Sequence, residues 1–232
     1  MKGRMNSIQT LGTVDGPGVR FVLFMQGCPL RCAYCHNPDT WDVRGGDEVS
    51  AEEIFEKVKR YREYFGKDGG VTVSGGEPLL QAEFVREFFE LCKKEGMHTA
   101  LDTSGCIFND KVEALLDVTD LCLLDYKMTN DEDYLRYTRC ERVAVDRFLS
   151  VLQERGISTW LRQVIVRGIN DSKESVSKLY EVAGAHSCVK KVELLKFRKL
   201  CAPKYENLGI EFPLGHIEPT TEADIKRLLE SI

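Results

Sequence analysis

Six short runs of β-branched and other apolar residues, separated by longer amphipathic stretches, constrain this chain more than any other feature. They fall at Arg20–Gln26, Val71–Ser74, Met97–Asp102, Leu121–Asp125, Thr159–Val166 and Lys191–Leu195. A strand-length run followed by a helix-length one, repeated, marks βαβ units, because parallel strands need a crossover long enough to hold a helix. Ser50 with Glu53 forms a capping-box signature ahead of Ile54, Val58, Tyr61 and Phe65, which recur at helical spacing. Phe84, Phe88 and Leu91 repeat the pattern, as do Phe148 with Leu152, Val176 with Leu179, and Ile225 with Leu228. These apolar faces read as core.

A complete eight-unit barrel takes about 250 residues. Six units in 232 residues point instead to an α/β fold built as a partial (β/α)6, TIM-like barrel with a mostly parallel sheet. A doubly wound open sheet is the alternative, since periodicity does not separate curved from flat. No Pro-, Gly- or Ser-rich linker interrupts the chain, so one domain over residues 1–232 is expected. Both architectures place chemistry at the carboxyl ends of the strands.

The residues at those ends are unusual. In chain order they are Cys28-Pro29-Leu30-Arg31-Cys32-Ala33-Tyr34-Cys35-His36, Gly75-Gly76-Glu77-Pro78, Asp102-Thr103-Ser104-Gly105, Asp125-Tyr126-Lys127, Arg167 to Asn170, and Lys196 to Lys199. The first places three of the chain's nine cysteines within eight residues. Structural zinc takes a closed tetrahedron, usually from two paired motifs, and no second pair is present. Iron–sulfur clusters also usually take four cysteines. Three thiolates would leave one metal position for a ligand that is not protein. Asp125 and Lys127, two apart, point the same way if strand geometry continues. Asp102 either caps a helix with Thr103 and Ser104 or binds a cation. Gly75 and Gly76 form a tight turn, or let a ligand reach the backbone.

Composition narrows the partners. A formal charge of −5 without a basic stripe argues against nucleic acid and anionic lipid. The amino terminus lacks a signal-peptide apolar core, and a cytoplasmic location is expected. Reducing conditions there, and an odd cysteine count, favour metal or catalytic use of some thiols over disulfides. Cys92, Cys106, Cys122, Cys140, Cys188 and Cys201 are scattered and read as ordinary thiols.

The C-x-x-x-C-x-x-C loop after the first of these strands and the Gly-Gly-Glu-Pro after the second resemble the radical S-adenosylmethionine enzymes. Gly12–Phe21 (GTVDGPGVRF), Cys32–Trp41 (CAYCHNPDTW), Val71–Val85, Cys92–Gly105 and Leu123–Lys127 (LLDYK) are more specific, and together resemble the activating enzymes of glycyl radical enzymes over most of the chain. The resemblance implies that Cys28, Cys32 and Cys35 each hold one iron of a 4Fe–4S cluster, with S-adenosylmethionine chelating the fourth. It implies that the Gly75-Gly76-Glu77 backbone meets the methionine amino group and that Lys127 pairs with its carboxylate. Asp125 would contact the ribose side or a monovalent cation, for which Asp102, Thr103, Asp125 and the Tyr126 carbonyl are candidates. Tyr34 and His36 would line the adenine. Asp15, Gly16, Pro17 and Gly18 would help enclose the partner's glycine loop. Arg198 stands where a histidine near the adenosine is expected, and reads equally as a solvated charge.

The implied activity is hydrogen abstraction from a glycine Cα by a 5′-deoxyadenosyl radical. No cysteine lies between His36 and Leu91. This short form favours pyruvate formate-lyase as partner over another glycyl radical enzyme, whose activases often carry a ferredoxin-like insert. A flavodoxin or ferredoxin would supply the electron, and a monomer is expected. Three rivals stay open: a small-molecule radical enzyme, a zinc-stabilised binding module, and a Schiff-base lyase using Lys127.

Overall fold

A computed structural model describes residues 1–232. In chain order the strands and helices are β1 (Lys2–Gly12), β2 (Arg20–Met25), β3 (Asp47–Ser50), α1 (Ala51–Lys59), β4 (Gly70–Gly75), α2 (Ala82–Lys94), β5 (His98–Thr103) and α3 (Asp110–Leu116). There follow β6 (Leu121–Asp125), α4 (Asp131–Thr138), α5 (Arg142–Glu154), β7 (Ser158–Ile165), α6 (Lys173–Ala185), β8 (Val189–Lys196), α7 (Ala202–Leu208) and α8 (Glu222–Ser231). Strands neighbour one another in the order β3-β1-β2-β4-β5-β6-β7-β8. The order is open, and the sheet is mostly parallel: β2 with β4, β4 with β5, and β7 with β8 run in the same direction.

All six expected strands are present within about two residues of their expected ends. Two more are not among them. β1 and β3 pair antiparallel on the β2 side of the sheet. β1 reads KGRMNSIQTLG and β3 only DEVS, so polar residues on an outer strand and short length hide both from an apolar-run criterion. The helix expected through Phe65 stops at Lys59. A 3-10 turn at Arg62–Tyr64 follows, and Gly66 (φ 58°) and Gly69 lead the chain into β4.

The chain divides into two compact units. The first comprises Met1–Pro29 and Thr40–Leu123, the second Leu30–Asp39 and Leu124–Ile232. In the first, Phe21, Val22, Leu23 and Met25 of β2 are all buried, as expected of an inner strand covered on both faces. Phe84, Val85, Phe88, Phe89 and Cys92 form the buried stripe of α2. The predicted capping box opens α1: Glu53 N donates to Ser50 Oγ at 3.2 Å, and Ser50 N to Glu53 Oε2 at 2.6 Å. In the second unit Ile165, Val176, Ile225 and Leu228 form a buried cluster, with Tyr180 and Leu194 against it. No helix is long and apolar enough to cross a membrane.

Candidate functional site

Within the first unit the Gly-Gly-Glu turn is built around backbone contact. Gly75 has φ 109°, and a Cβ there would lie 2.4 Å from Met25 N; one on Gly76 would lie 2.2 Å from Gly27 O. Gly76 N donates to Met25 O (2.9 Å) and Glu77 N to Gly27 O (2.8 Å). The glycines are therefore required to dock the turn against residues 25–27, immediately before Cys28. Glu77 is 1% exposed. Its carboxylate accepts from Thr103 Oγ1 (2.5 Å), Ser104 N (3.0 Å), Leu79 N (3.1 Å) and Ser104 Oγ. That commits Thr103 and Ser104 to Glu77, so they cap no helix; α3 begins at Asp110 with Asn109 as its cap. Asp102 instead accepts from Ser74 Oγ at 2.6 Å.

The Asp15–Gly18 segment lies at the opposite end of β2 from Cys28. Arg20 anchors it. Fully buried, Arg20 donates from Nη1 to Pro17 O (3.1 Å), from Nε to Thr72 Oγ1 (2.5 Å), and from Nη2 to Val71 O (2.5 Å) and His98 O (3.3 Å). Burial pushes the guanidinium down to about 10, with Asp15 and Asp120 resisting, so it stays charged at neutral pH. Thr72 Oγ1 donates to Asp15 O at 2.7 Å. A Cβ on Gly18 (φ 67°) would lie 2.5 Å from Gly69 N, so only glycine fits where the loop meets the Asp68–Gly69 backbone.

Within the second unit the Cys32–Cys35 turn is held from two sides. Arg31 N and Ala33 N donate to Thr138 O (3.0 Å) and Tyr137 O (2.8 Å), satisfying carbonyls left over at the end of α4. Tyr205 Oη donates to Cys35 O at 3.1 Å. Cys35 N donates to Cys32 O (3.0 Å), and Asn37 N points at Cys35 Sγ (3.4 Å). Burial pushes the Cys32 thiol up to about 12, against the pull of Lys127. Tyr34 is buried, with its phenol raised by that burial and its hydroxyl 3.5 Å from Lys127 O. His36 is exposed; its Nε2 donates to Arg198 O at 3.0 Å, and partial desolvation lowers its imidazole. The side chain of Arg198 is exposed, so its contact within this unit is through the carbonyl.

Although β6 ends at Asp125 and strand geometry does not continue to the lysine, Asp125 and Lys127 form a pair, Lys127 Nζ lying 3.1 Å from Asp125 Oδ2. It is not a solvated surface pair: the two side chains are 14% and 27% exposed. Arg162, 8% exposed, donates from Nε and Nη2 to Asp125 Oδ1 at 3.1 and 3.0 Å. Burial opposes the charge on Asp125, but Lys127 and Arg162 outweigh it and hold the carboxyl below its usual range. Burial also opposes the Lys127 charge; Asp125, together with Cys32, Tyr34 and Tyr134, outweighs it and holds the ammonium well above its usual range. Tyr126 N donates to Arg162 O (2.8 Å), and its carbonyl accepts from Gln163 Nε2 (3.0 Å). Its hydroxyl donates to Asp146 Oδ1 at 2.6 Å. Arg162 is a residue the sequence reading missed. The polar Arg-Gln pair inside the otherwise apolar TWLRQVIV strand was its signal.

Cys28 belongs to the first unit, and Cys32 and Cys35 to the second; the structure presents no group of three or more potential ligands to a metal. The donors nonetheless suit a thiolate-bound iron cluster in kind: they are cysteine sulfurs, and the Asn37 amide aimed at Cys35 sulfur favours its anionic form, whereas at Cys32 burial outweighs the field of Lys127, so a bound metal would itself have to hold that sulfur as thiolate.

An open, mostly parallel α/β sheet with a three-cysteine loop after its first parallel strand defines a class, and residues 22–179 match the sequence family described as the Radical SAM superfamily. The chain is 45% identical over 227 residues to the pyruvate formate-lyase-activating enzyme of Clostridium pasteurianum, covering 97% of this chain and 95% of the relative. It is 42% identical over 229 residues to the pyruvate formate-lyase 1-activating enzyme of Escherichia coli K12, covering 97% and 93%. The chain belongs to the pyruvate formate-lyase-activating enzymes of that superfamily, whose cofactors are a 4Fe–4S cluster and S-adenosylmethionine. Among solved structures the fold is similar to a domain of a pyruvate-formate lyase-activating enzyme from Bacteroides vulgatus, with TM-score 0.58, 19% identity, and coverage of 70% of this chain and 92% of that one. It is also similar to Streptococcus suis SuiB bound to its precursor peptide, with TM-score 0.68, 13% identity, and coverage of 90% and 44%.

Proposed function

We propose that this chain installs a glycyl radical on a pyruvate formate-lyase, acting as a single radical S-adenosylmethionine domain over residues 1–232. The near-full-length identity to activating enzymes carries this reading. Cys28, Cys32 and Cys35 would hold the cluster. When bound, the cluster would supply the one electron that cleaves a carbon–sulfur bond of S-adenosylmethionine, with methionine as leaving group and the 5′-deoxyadenosyl fragment free to take a hydrogen from a glycine Cα of the partner.

The protein's own residues bind and orient. Lys127, charged and fixed on Asp125, is suited to a carboxylate at the methionine end. The carboxylate of Glu77 is fully engaged, so only the backbone of Gly75-Gly76-Glu77 is assigned to the amino group. Tyr34 and His36 are assigned to the adenine side and Arg198 to the adenosine. A monovalent cation is assigned to Asp102, Thr103, Asp125 and the Tyr126 carbonyl. Asp15 to Gly18 are assigned to the partner's loop. A flavodoxin or ferredoxin as electron donor, a monomeric state and a cytoplasmic location complete the proposal.

Anaerobic reconstitution is expected to give a brown protein with about four irons. Alanine at Cys28, Cys32 or Cys35 should abolish that uptake. Mixing the reduced protein with S-adenosylmethionine and a pyruvate formate-lyase should produce a glycyl electron-spin signal. A colourless one-zinc protein, or silence with a competent lyase, would refute the reading.

A further inference from the structure

We propose that Tyr205 and Lys204 of α7 are positioning residues that hold the cysteine turn in its ligand-ready form. The inference rests on the reading of Cys32 and Cys35 as cluster ligands. The segment from Arg198 to Tyr205 contacts four closely spaced residues of the turn. Tyr205 Oη donates to Cys35 O at 3.1 Å. Arg198 O accepts from His36 Nε2 at 3.0 Å, and Lys204 Nζ donates to Asn37 Oδ1 (2.8 Å) and Asp39 Oδ1 (3.0 Å). More than 160 residues of sequence separate the two segments, so these bonds are tertiary and not a property of the turn itself.

The aim of the Tyr205 hydroxyl is fixed independently of that bond. Tyr205 is 1% exposed, its ring stacks on Phe212 with centroids 4.7 Å apart, and Phe212 packs in turn on Phe197 at 6.1 Å. The opposite side of the turn is fixed by Arg31 and Ala33 on the end of α4. Cys35 therefore sits between two anchors, and its sulfur is further oriented by the Asn37 amide. Preset ligands lose less freedom on binding metal, and outer partners of this kind tune both retention and electronic character of a centre.

The test compares reconstituted wild type with Tyr205→Phe and Lys204→Met. Tyr205→Phe keeps the stacked ring and removes only the hydroxyl; Lys204→Met acts at a half-exposed side chain, so folding is preserved. Iron loss to a chelator should be roughly two- to tenfold faster in Tyr205→Phe, the range one hydrogen bond supports, and at least as much faster in Lys204→Met, which loses its contacts to both Asn37 and Asp39. The electron-spin spectrum of the reduced cluster should shift as well. A purely structural role would lower the urea midpoint while leaving iron loss and spectrum at wild-type values, and that result would overturn the proposal. If the wild type itself takes up no iron, the cluster reading fails and this inference falls with it.

Discussion

Replacing Glu77 with glutamine tests whether the glutamate of the Gly-Gly-Glu turn is architectural. One carboxylate oxygen accepts from Leu79 N and Thr103 Oγ1, the other from Ser104 N and Ser104 Oγ. A glutamine must put its NH2 where one of these oxygens was, and each already faces a backbone N–H. Whichever rotamer it takes, one amide donor meets another donor. The hydroxyl on the same side can rotate to accept, but the N–H cannot. Removing the acceptor from a buried donor costs about 1–3 kcal/mol, and more where the lost acceptor is charged. With Glu77 1% exposed, water does not replace it, and we expect a loss of about 2–4 kcal/mol. For a chain of this size about 1 kcal/mol moves the melting point by about 2–4 °C, so a fall of about 4–16 °C is expected. Urea and thermal unfolding of the anaerobically purified variant measure it. Unchanged stability combined with weakened S-adenosylmethionine binding would refute the reasoning and make the side chain a ligand group.

Three further outcomes follow from the geometry. Lys127→Ala removes a charge-assisted contact of about 1.5–3 kcal/mol and should weaken S-adenosylmethionine binding roughly 10- to 150-fold, measured by calorimetry on reconstituted protein; unchanged affinity would return the lysine to a purely structural pair with Asp125. Gly76→Ala forces a methyl to 2.2 Å from Gly27 O and should destabilise, whereas Gly184→Ala in α6 meets nothing within 4 Å and should stabilise by about 0.4–1 kcal/mol; equal effects in urea would refute the contrast. His98, desolvated and 3.2 Å from Arg20 Nη2, titrates below its ordinary 6.5. Between the folded and unfolded values the unfolded chain binds the extra proton, so stability should fall as pH drops below 6.5 and level off below the folded value. His98→Gln should flatten that slope in pH-dependent urea titrations.

The parallel strands were legible because each contains an apolar run; β2, β4 and β6 are buried along nearly their whole length, whereas β8, at the end of the strand order, is only partly buried. β1 and β3 were not legible, since strands toward a sheet edge can carry polar residues at alternate positions. The Asp125–Lys127 pairing was expected only if strand geometry continued; the two side chains do meet, although β6 ends at Asp125 and Lys127 lies beyond it. Arg162 was not expected, because its reason lies 37 residues away in sequence, at Asp125. Glu77 was legible as part of a turn, yet not as the acceptor that organises Thr103 and Ser104. Tyr205 and Lys204 lie in a stretch for which the sequence suggested no element or role; only folding brings them to Cys35 and Asn37. Local rules read elements, while side chains that join distant elements need the fold.

Arg20 gives the partly buried Asp15–Gly18 loop an unusual property for a connection between strands. With Pro17 and the starts of β4 and β5 bound to one buried guanidinium, the loop has little freedom left to lose. Ordering a flexible backbone costs about 1–2 kcal/mol per residue, and here folding has already met that cost. If the partner's loop docks there as proposed, it would meet a finished surface, and the entropy penalty of complex formation would fall mainly on the incoming chain.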